Sequence, residues 1–250
     1  MELRLIAGVL STVSLAFAQA PLRFDMKRFE KKSAHCAATF DYPEVISAAS
    51  PTTRDRINAG ILRVLLRRTE WPATDSGFRS VDAYASNSIQ ACTDFQTHPD
   101  ARALYERKRV TILRSLPPVL SFRCDATQDG GGVHPFGTTF FVNFDARTGK
   151  GIALKDLLQD AALPKLESIA EAILRRNRHL SPSARLSDNG YRFPGDRFHL
   201  NGNFGIGDNQ LLFVFNTYEI GPGAMGMTEI GIPYPEIRSL LKVDLQPPSP

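Results

Sequence analysis

Cysteine and histidine, two of the side chains most often used to bind transition metals, are scarce in this sequence. Three cysteines and five histidines occur among 250 residues. The histidines are scattered, and none lies at the helical or Cys-x-x-Cys-like spacing of a zinc site. Their positions are His35, His98, His134, His179 and His199. The sequence therefore predicts no metal site and no cofactor.

A strong charge of either sign is also missing. The net charge is +4, and the densest basic run, Arg175 to His179, is not interleaved with aromatic residues. Nucleic-acid-binding domains usually carry a pronounced basic patch or stripe, so we expect no nucleic-acid partner. A mild positive balance does suit contact with anionic polymers of the cell envelope.

Long hydrophobic runs are missing after the first twenty residues. The N-terminus has the three parts of a secretory signal: a short basic segment with Arg4, an apolar run of about 14 residues, and small residues at Ala16 and Ala18. A helix needs about 20 apolar residues to span a bilayer, so an uncleaved anchor is the weaker interpretation. We predict a signal peptide over residues 1–18, with cleavage after Ala20 as the alternative. The mature protein is then periplasmic or secreted, without a stable membrane anchor.

Export would place the three cysteines in an oxidising compartment, where one disulfide is expected. Three pairings of Cys36, Cys92 and Cys124 are possible. Cys124 lies in the run Pro118–Thr127, whose β-branched and aromatic residues are typical of a buried strand. We therefore favour a Cys36–Cys92 disulfide.

Helical and strand-like patterns are segregated along the chain and do not alternate in βαβ fashion. Apolar residues at helical spacing predict helices over 50–68, 80–95 and 163–177, and a short one within 232–241. A strand is predicted within 35–45, and Pro43 is expected to end it. Further strands are predicted over 109–116 and 118–127, and in pairs within 138–154 and 197–220. Residues 101–109 suit a short helix or an irregular connection.

This order of elements predicts an α+β fold, an antiparallel sheet with helices packed on one side. The chain forms one unit or two small, closely packed subdomains. We place an N-terminal α+β subdomain at 19–112 and a C-terminal α+β domain at 113–243, followed by a disordered tail at 244–250.

The glycine-rich stretch between Asp129 and Leu158 superficially resembles a reactive site. In Asp-Ala-Arg-Thr-Gly-Lys, however, Phe144 occupies the position of the first P-loop glycine, and Gly151 stands where Ser or Thr is required. A turn at Ala146–Gly149 explains this motif. Upstream, His134 has no sequence neighbour that could orient its ring as a general base requires.

Four motifs in order carry a family resemblance: Gly131–His134, Asn143–Lys150, Tyr218–Gly226 and Ile232–Tyr234. They resemble the extracellular domain of RsiV-type anti-sigma factors and the domain of unknown function that accompanies PdaC-type peptidoglycan deacetylases. The resemblance extends over most of residues 35–241. It implies an α+β fold, an extracytoplasmic location and a binding role, because RsiV-type members bind lysozyme and catalysis in the deacetylases belongs to a separate domain.

Two departures from the family pattern bear on function. RsiV-type proteins have a cytoplasmic sigma-binding segment before their apolar run, whereas only Met1–Arg4 precede it here, so an anti-sigma role is not expected. The family's Ala-Pro-Tyr is Gly221-Pro222-Gly223 in this chain, which removes an aromatic anchor for a partner. The net charge of +4 also gives no electrostatic steering toward a basic lysozyme.

We therefore expect an exported, soluble, non-catalytic binding module of the cell envelope whose partner is an envelope glycan or a lysozyme-like protein. The candidate surface consists of two glycine-rich loops that flank strands, Gly130–Pro135 and Tyr218–Gly226, and such loops are a common place for binding residues. Its residues are Gly131, Gly132, His134, Pro135, Tyr218, Glu219 and Pro222.

Three alternatives remain open. The loop motifs can equally serve the fold, because glycine-rich turns are often required by backbone geometry alone. An envelope hydrolase or deacetylase centred on His134 would need a carboxylate or a metal beside the imidazole. A purely structural envelope component would expose large apolar patches.

Overall fold

The computed structural model describes residues 22–69, 74–95 and 103–245. Two β-sheets and five α-helices lie within these ranges, and the predicted α+β class is confirmed. The predicted signal peptide and the last five residues of the predicted tail lie outside them. No helix in the described part of the chain has the length and hydropathy needed to cross a membrane.

The first sheet has five strands in the order β1-β2-β3-β4-β5. These are β1 Arg23–Lys32, β2 Cys36–Ser47, β3 Leu104–Arg114, β4 Val119–Asp129 and β5 Phe136–Asp145. All neighbours are antiparallel except β2 and β3, which run parallel. Parallel neighbours need a long crossover, and the chain between Ser47 and Leu104 supplies one with two helices.

Two sequence predictions about this sheet were wrong. Residues 101–109 were expected to form a helix or irregular connection, but the described part from Leu104 belongs to β3. Pro43 was expected to end a strand, but β2 continues to Ser47. Proline is tolerated there because β2 pairs with β3 only as far as Asp41, so no ladder bond on that side is lost at Pro43.

The helices α1 (Pro51–Leu65) and α2 (Val81–Phe95) pack against the first sheet, as predicted. Ser50 caps α1 by accepting a hydrogen bond from the Thr53 backbone N–H at 3.0 Å. The predicted disulfide is confirmed: Cys36 on β2 is bonded to Cys92 on α2. Cys124 is a buried thiol, and burial raises its pKa to about 12.

The second sheet has three strands: β6 Phe204–Ile206, β7 Gln210–Phe215 and β8 Thr228–Pro233. The helix α4 (Leu163–Asn177) packs on it, and its bounds are those predicted. The short helices α3 (Leu154–Leu157) and α5 (Tyr234–Ile237) complete the unit. Sequence patterns did not predict β8.

The turn predicted at Ala146–Gly149 is present, but the strand expected after it is reduced to one bridge between Phe144 and Gly151. The Asp145 carboxylate accepts hydrogen bonds from the Thr148 N–H and hydroxyl, both at 2.7 Å, and closes the turn. Asp156 then accepts from the Ala153 N–H at 2.8 Å, so a helix begins where the strand would have continued.

Asparagine side chains join the two sheets along the open edge of β5. Asn216 accepts from the Thr139 N–H at 2.7 Å and donates to the Thr139 carbonyl at 3.2 Å. Asn203 accepts from the Phe141 N–H at 3.1 Å, and Asn143 donates to the Phe204 carbonyl at 2.8 Å. These amides satisfy backbone groups that an edge strand would otherwise leave unpaired.

The predicted subdomain boundary at 112/113 falls within β3, and the five-stranded sheet contains residues from both sides of it.

Candidate functional site

A cavity of about 280 Å³ lies beside the disulfide, between α2 and the neighbouring ends of β2, β3 and β4. Cys36 and Cys92 both line it, so the disulfide fixes the distance between two of its walls. The segment that follows α1 contributes Thr69 and Phe78. We call this space the disulfide cavity.

The floor of the disulfide cavity is a buried carboxylate, Glu106 on β3. Its Oε1 accepts hydrogen bonds from the Thr69 hydroxyl at 3.0 Å and the Tyr84 hydroxyl at 2.8 Å. Its Oε2 accepts from the Ser88 hydroxyl at 2.8 Å. The carboxylate thus holds three hydroxyl groups in fixed orientations at the base of the cavity.

Lys108, two residues along β3, points to the same side of the sheet as Glu106. Its ammonium group lies 3.2 Å from Glu106 Oε1 and donates to the Tyr84 hydroxyl at 2.7 Å and to the Arg67 carbonyl. It also lies over the Tyr84 ring, 4.1 Å from the centroid. Tyr84 therefore accepts from the lysine and donates to the glutamate.

The surroundings of the Glu106 carboxyl favour its ionised form. Burial alone acts to raise its pKa, but the Lys108 charge and the hydroxyl donors of Ser88 and Tyr84 outweigh burial and hold the pKa below its ordinary value. Burial and the nearby Glu106 charge raise the pKa of Tyr84, so its phenol stays protonated as a donor.

Aromatic rings stand at the upper walls of the disulfide cavity. The Phe78 ring meets the Tyr84 ring edge to face, with centroids 5.7 Å apart. Phe95, at the end of α2, is 66% exposed and lies against the loop after β4. The lining is therefore mixed, with hydroxyl, amide and carboxylate groups below and aromatic faces above.

The predicted binding loop, Gly130–Pro135, forms one rim of the disulfide cavity. Gly130 lines the cavity, and Gly131 has a φ of +86°. A Cβ at Gly131 would lie 2.8 Å from the Phe95 ring, so glycine is required there by both backbone and packing. Asp129 accepts from the Gly131 N–H at 3.1 Å and sets the start of the loop.

The remaining predicted residues of this loop, Gly132, His134 and Pro135, lie outside the cavity lining. His134 is exposed, and its Nδ1 lies 3.0 Å from the Pro135 carbonyl oxygen. Within the described residues no carboxylate is hydrogen-bonded to its ring, and no group of three metal-binding side chains occurs. The geometry that a hydrolase centred on His134 needs is not found there.

The second predicted loop meets the first at one point. Tyr218, with a φ of +72°, stacks its half-exposed ring on Phe136, the residue after Pro135, with centroids 6.1 Å apart and an interplanar angle of 9°. A Cβ at Gly223 would lie 2.5 Å from the Tyr218 ring, so the ring covers this glycine closely.

Two predicted residues of the second loop hold its shape. Glu219 accepts from the Asn216 N–H at 2.8 Å and from the Asn201 amide at 2.7 Å, which places it in the joint between the sheets. Pro222 is exposed and accepts from the Met225 N–H at 3.0 Å in a tight turn. Neither residue lines the disulfide cavity.

Sequence patterns missed the polar floor of the cavity. Glu106 and Lys108 belong to the run Tyr-Glu-Arg-Lys-Arg, which looks solvated when it is not treated as a strand. In β3 its residues alternate between buried and exposed, and both of these charges take buried positions. The one signal that could have revealed this is that the apolar residues Leu104 and Val110 share a strand face with Glu106 and Lys108.

Fold and site together define a class: a disulfide-bonded α+β protein with two joined β-sheets and a cavity of mixed polarity between a helix and the ends of strands. Residues 155–235 match a family model described as Protein of unknown function (DUF3298). No curated protein matches the chain.

Two solved structures resemble this chain over nearly its whole length. One is a member of the DUF3298 family from Bacteroides fragilis, with 19% identity, a TM-score of 0.71, and coverage of 90% of this chain and 95% of that chain. The other is a DUF3298 family protein from Pseudomonas aeruginosa, with 17% identity, a TM-score of 0.68, and coverage of 92% and 98%. At such identities the likeness shows a shared fold.

The family match and the disulfide cavity lie in different parts of the chain. The match begins at residue 155 and so contains Tyr218, Glu219 and Pro222, whereas every residue that lines the disulfide cavity precedes it. A closer relationship to RsiV-type or PdaC-type proteins stays a prediction.

Proposed function

We propose that this protein is an exported, non-catalytic binding module of the cell envelope, and that its disulfide cavity holds a sugar unit of an envelope glycan. The observation that carries the proposal is the cavity's lining, in which Thr69, Tyr84 and Ser88 surround a buried, ionised carboxylate beneath aromatic rings. A disulfide between Cys36 and Cys92 supports an oxidising, extracytoplasmic environment.

The chemistry of the lining suits a sugar. Sugar hydroxyls both donate and accept, and hydroxyl and amide side chains offer the complementary groups. Asn87 and Gln128 add two amide groups to the lining. The rings of Phe78 and Phe95 offer apolar faces for the C–H side of a sugar ring.

The size of the cavity also favours a small ligand. At about 280 Å³ it lies close to the lower end of the range for small-molecule sites, which begins at about 300 Å³. It suits a single sugar unit with its substituents, and the rest of a glycan chain would lie outside.

The electrostatics of the floor favour binding over hydrolysis. Glycoside hydrolysis needs a carboxylic acid whose pKa is raised, so that it can donate a proton to the leaving group. The pKa of Glu106 is lowered instead, and its oxygens already accept three hydroxyl hydrogen bonds. A charged, saturated carboxylate orients neighbouring hydroxyl groups and does not supply a proton.

Calorimetric titration of the mature protein with triacetylchitotriose tests the proposal. We expect saturable binding, and we expect Ser88→Ala to weaken it about two- to tenfold, the value of one hydrogen bond. Ser86→Ala is the matched control, because Ser86 lies on the same helix but outside the cavity. Thermal unfolding of both variants checks that the fold is intact.

If the wild-type protein binds neither triacetylchitotriose nor soluble peptidoglycan fragments at low salt, the glycan proposal in this form is wrong. Equal weakening by Ser88→Ala and Ser86→Ala would also count against the disulfide cavity as the site.

A second candidate partner is a lysozyme-like protein. The observation that favours it is Val133, which is fully exposed in the Gly130–Pro135 loop, three residues before Phe136, whose ring stacks on that of Tyr218. Exposed apolar and aromatic side chains of this kind commonly anchor protein partners. Retention on immobilised lysozyme should then fall with Val133→Asp but not with Val243→Asp, which changes an exposed valine elsewhere.

A further inference from the structure

A second cavity of about 300 Å³ adjoins the first, and Phe78 lines both. Its apolar lining residues are Ala59, Leu62 and Leu66, which belong to α1 and the residue after it. Its other lining residues, apart from Phe78, are charged: Arg63, Arg79 and Asp75. We call this space the arginine cavity.

Phe78 is held in place as the wall between the two cavities. The Asp75 carboxylate accepts from the Gly77 N–H at 2.8 Å, and the Ser76 hydroxyl accepts from the Phe78 N–H at 3.3 Å. Gly77 has a φ of +79°, which turns the chain sharply before the aromatic residue. The ring then packs on Tyr84, whose hydroxyl belongs to the floor of the disulfide cavity.

The two cavities differ in charge. Two carboxylates, Glu106 and Asp129, and one guanidinium group, that of Arg68, line the disulfide cavity. The arginine cavity has two guanidinium groups and one carboxylate, and Arg79 lies 3.8 Å from Asp75. Arg63 has no hydrogen-bond or ion-pair partner among residues 22–69, 74–95 and 103–245. The arginine cavity therefore carries one positive charge that the described residues leave uncompensated.

We infer that the arginine cavity is a second subsite, which takes a carboxylate-bearing aliphatic substituent of the glycan whose sugar ring occupies the disulfide cavity. The apolar lining residues would contact the aliphatic part, and Arg63 would pair with the carboxylate. The inference rests on the proposed function and narrows it: the ligand is an acidic saccharide, such as one with a lactyl ether, and not a neutral one.

The test compares one disaccharide in two forms. The probes are N-acetylglucosaminyl-N-acetylmuramic acid and the same disaccharide with its carboxylate converted to the primary amide. We expect the wild-type protein to bind the acid about three- to fivefold more tightly than the amide at low salt, the usual size of one exposed ion pair. Raising the salt to about 0.5 M should remove the preference, because exposed charges are screened.

Two variants locate the effect. Arg63→Gln should abolish the preference, so that the acid and the amide bind the variant with the same affinity. Arg176→Gln is the matched control, an exposed arginine in the last turn of α4, and should change neither affinity. Ser88→Ala should weaken binding of acid and amide alike, since it acts in the disulfide cavity.

The outcomes separate the two proposals. If the acid and the amide bind equally and Arg63→Gln has no effect, the second subsite is wrong while the glycan site stands. If neither form nor triacetylchitotriose binds to the wild-type protein, the glycan proposal itself fails and the subsite fails with it.

Discussion

The five-stranded sheet buries charged side chains, whereas the core of the three-stranded unit is dominated by aliphatic and aromatic ones. Among the described residues the buried charges are Glu106, Lys108, Arg114 and Asp129, all on β3 or β4. The second core contains instead a cluster of rings, with Phe193 packed against Phe198 and Phe215.

This difference separates the half that contains the candidate site from the half that does not. Buried charges cost free energy unless they are paired and hydrogen-bonded, and strongly perturbed groups in a cleft are candidates for function. The half that carries them also carries the disulfide cavity. The DUF3298 match lies from residue 155 onward, in the half with the apolar core and away from the cavity.

Among the changes that test this difference, Lys108→Met is expected to have the largest effect on stability. It would leave the buried Glu106 without its counter-charge, and the free energy of unfolding should fall by about 3–5 kcal/mol. Chemical denaturation measures the change. Lys27→Met removes an exposed pair with Asp25 on β1 and should have a much smaller effect. Comparable effects of the two variants would show that the buried pair has no special role.

Loss of the disulfide is expected to have the second-largest effect on stability. A Cys36→Ser/Cys92→Ser double variant should lose about 2–4 kcal/mol of unfolding free energy, because the bond closes a loop with a sequence separation of 56 residues. Hydrogen exchange should become faster in α2 and stay unchanged in α4. Equal loss of protection in both helices would mean that the two halves unfold as one unit.

Asn216→Ala tests the joint between the halves. It would remove both hydrogen bonds to the Thr139 backbone, and burial of the unpaired groups should cost about 1–3 kcal/mol. Asn189→Ala is the control: that side chain is exposed and bonds within its own turn. Differential scanning calorimetry should show a lower or a split transition for Asn216→Ala alone.

The smallest expected effect compares adjacent glycines at the rim of the cavity. Gly131→Ala should cost about 1 kcal/mol or more, since its φ is +86° and the new Cβ would meet the Phe95 ring. Gly132→Ala meets nothing within 4 Å and should change stability by less than about 0.5 kcal/mol. If both variants behave alike in thermal unfolding, the loop does not pack on α2 as described.

Local patterns were sufficient where neighbours in sequence decide the structure. The apolar residues at helical spacing placed α1 and α4 correctly, and the strand-like surroundings of Cys124 favoured the correct disulfide. The predicted Gly130–Pro135 loop does reach the candidate site, but only its first residues contact the cavity or its walls.

Patterns failed where a residue's partners are distant in sequence. The strands β1 and β8 have few clear alternating apolar positions, and they are stabilised by pairing with β2 and β7. The hydrogen bonds that Glu219 accepts from Asn216 and Asn201 were likewise not visible in the sequence; the binding role of Tyr218 and Glu219 stays a prediction. Such hydrogen bonds depend on which strands lie side by side.

By itself, the sequence determined the α+β class, the positions of the main helices and the pair of cysteines that bond, because each depends on periodicity or local burial along the chain. Only the tertiary structure decided that β2 and β3 run parallel, that Glu106 and Lys108 are buried, and that the disulfide lies beside a cavity. The reason is physical: a charged side chain on a strand is solvated or buried according to what packs on that face, and here α2, more than ten residues away along the chain, covers it.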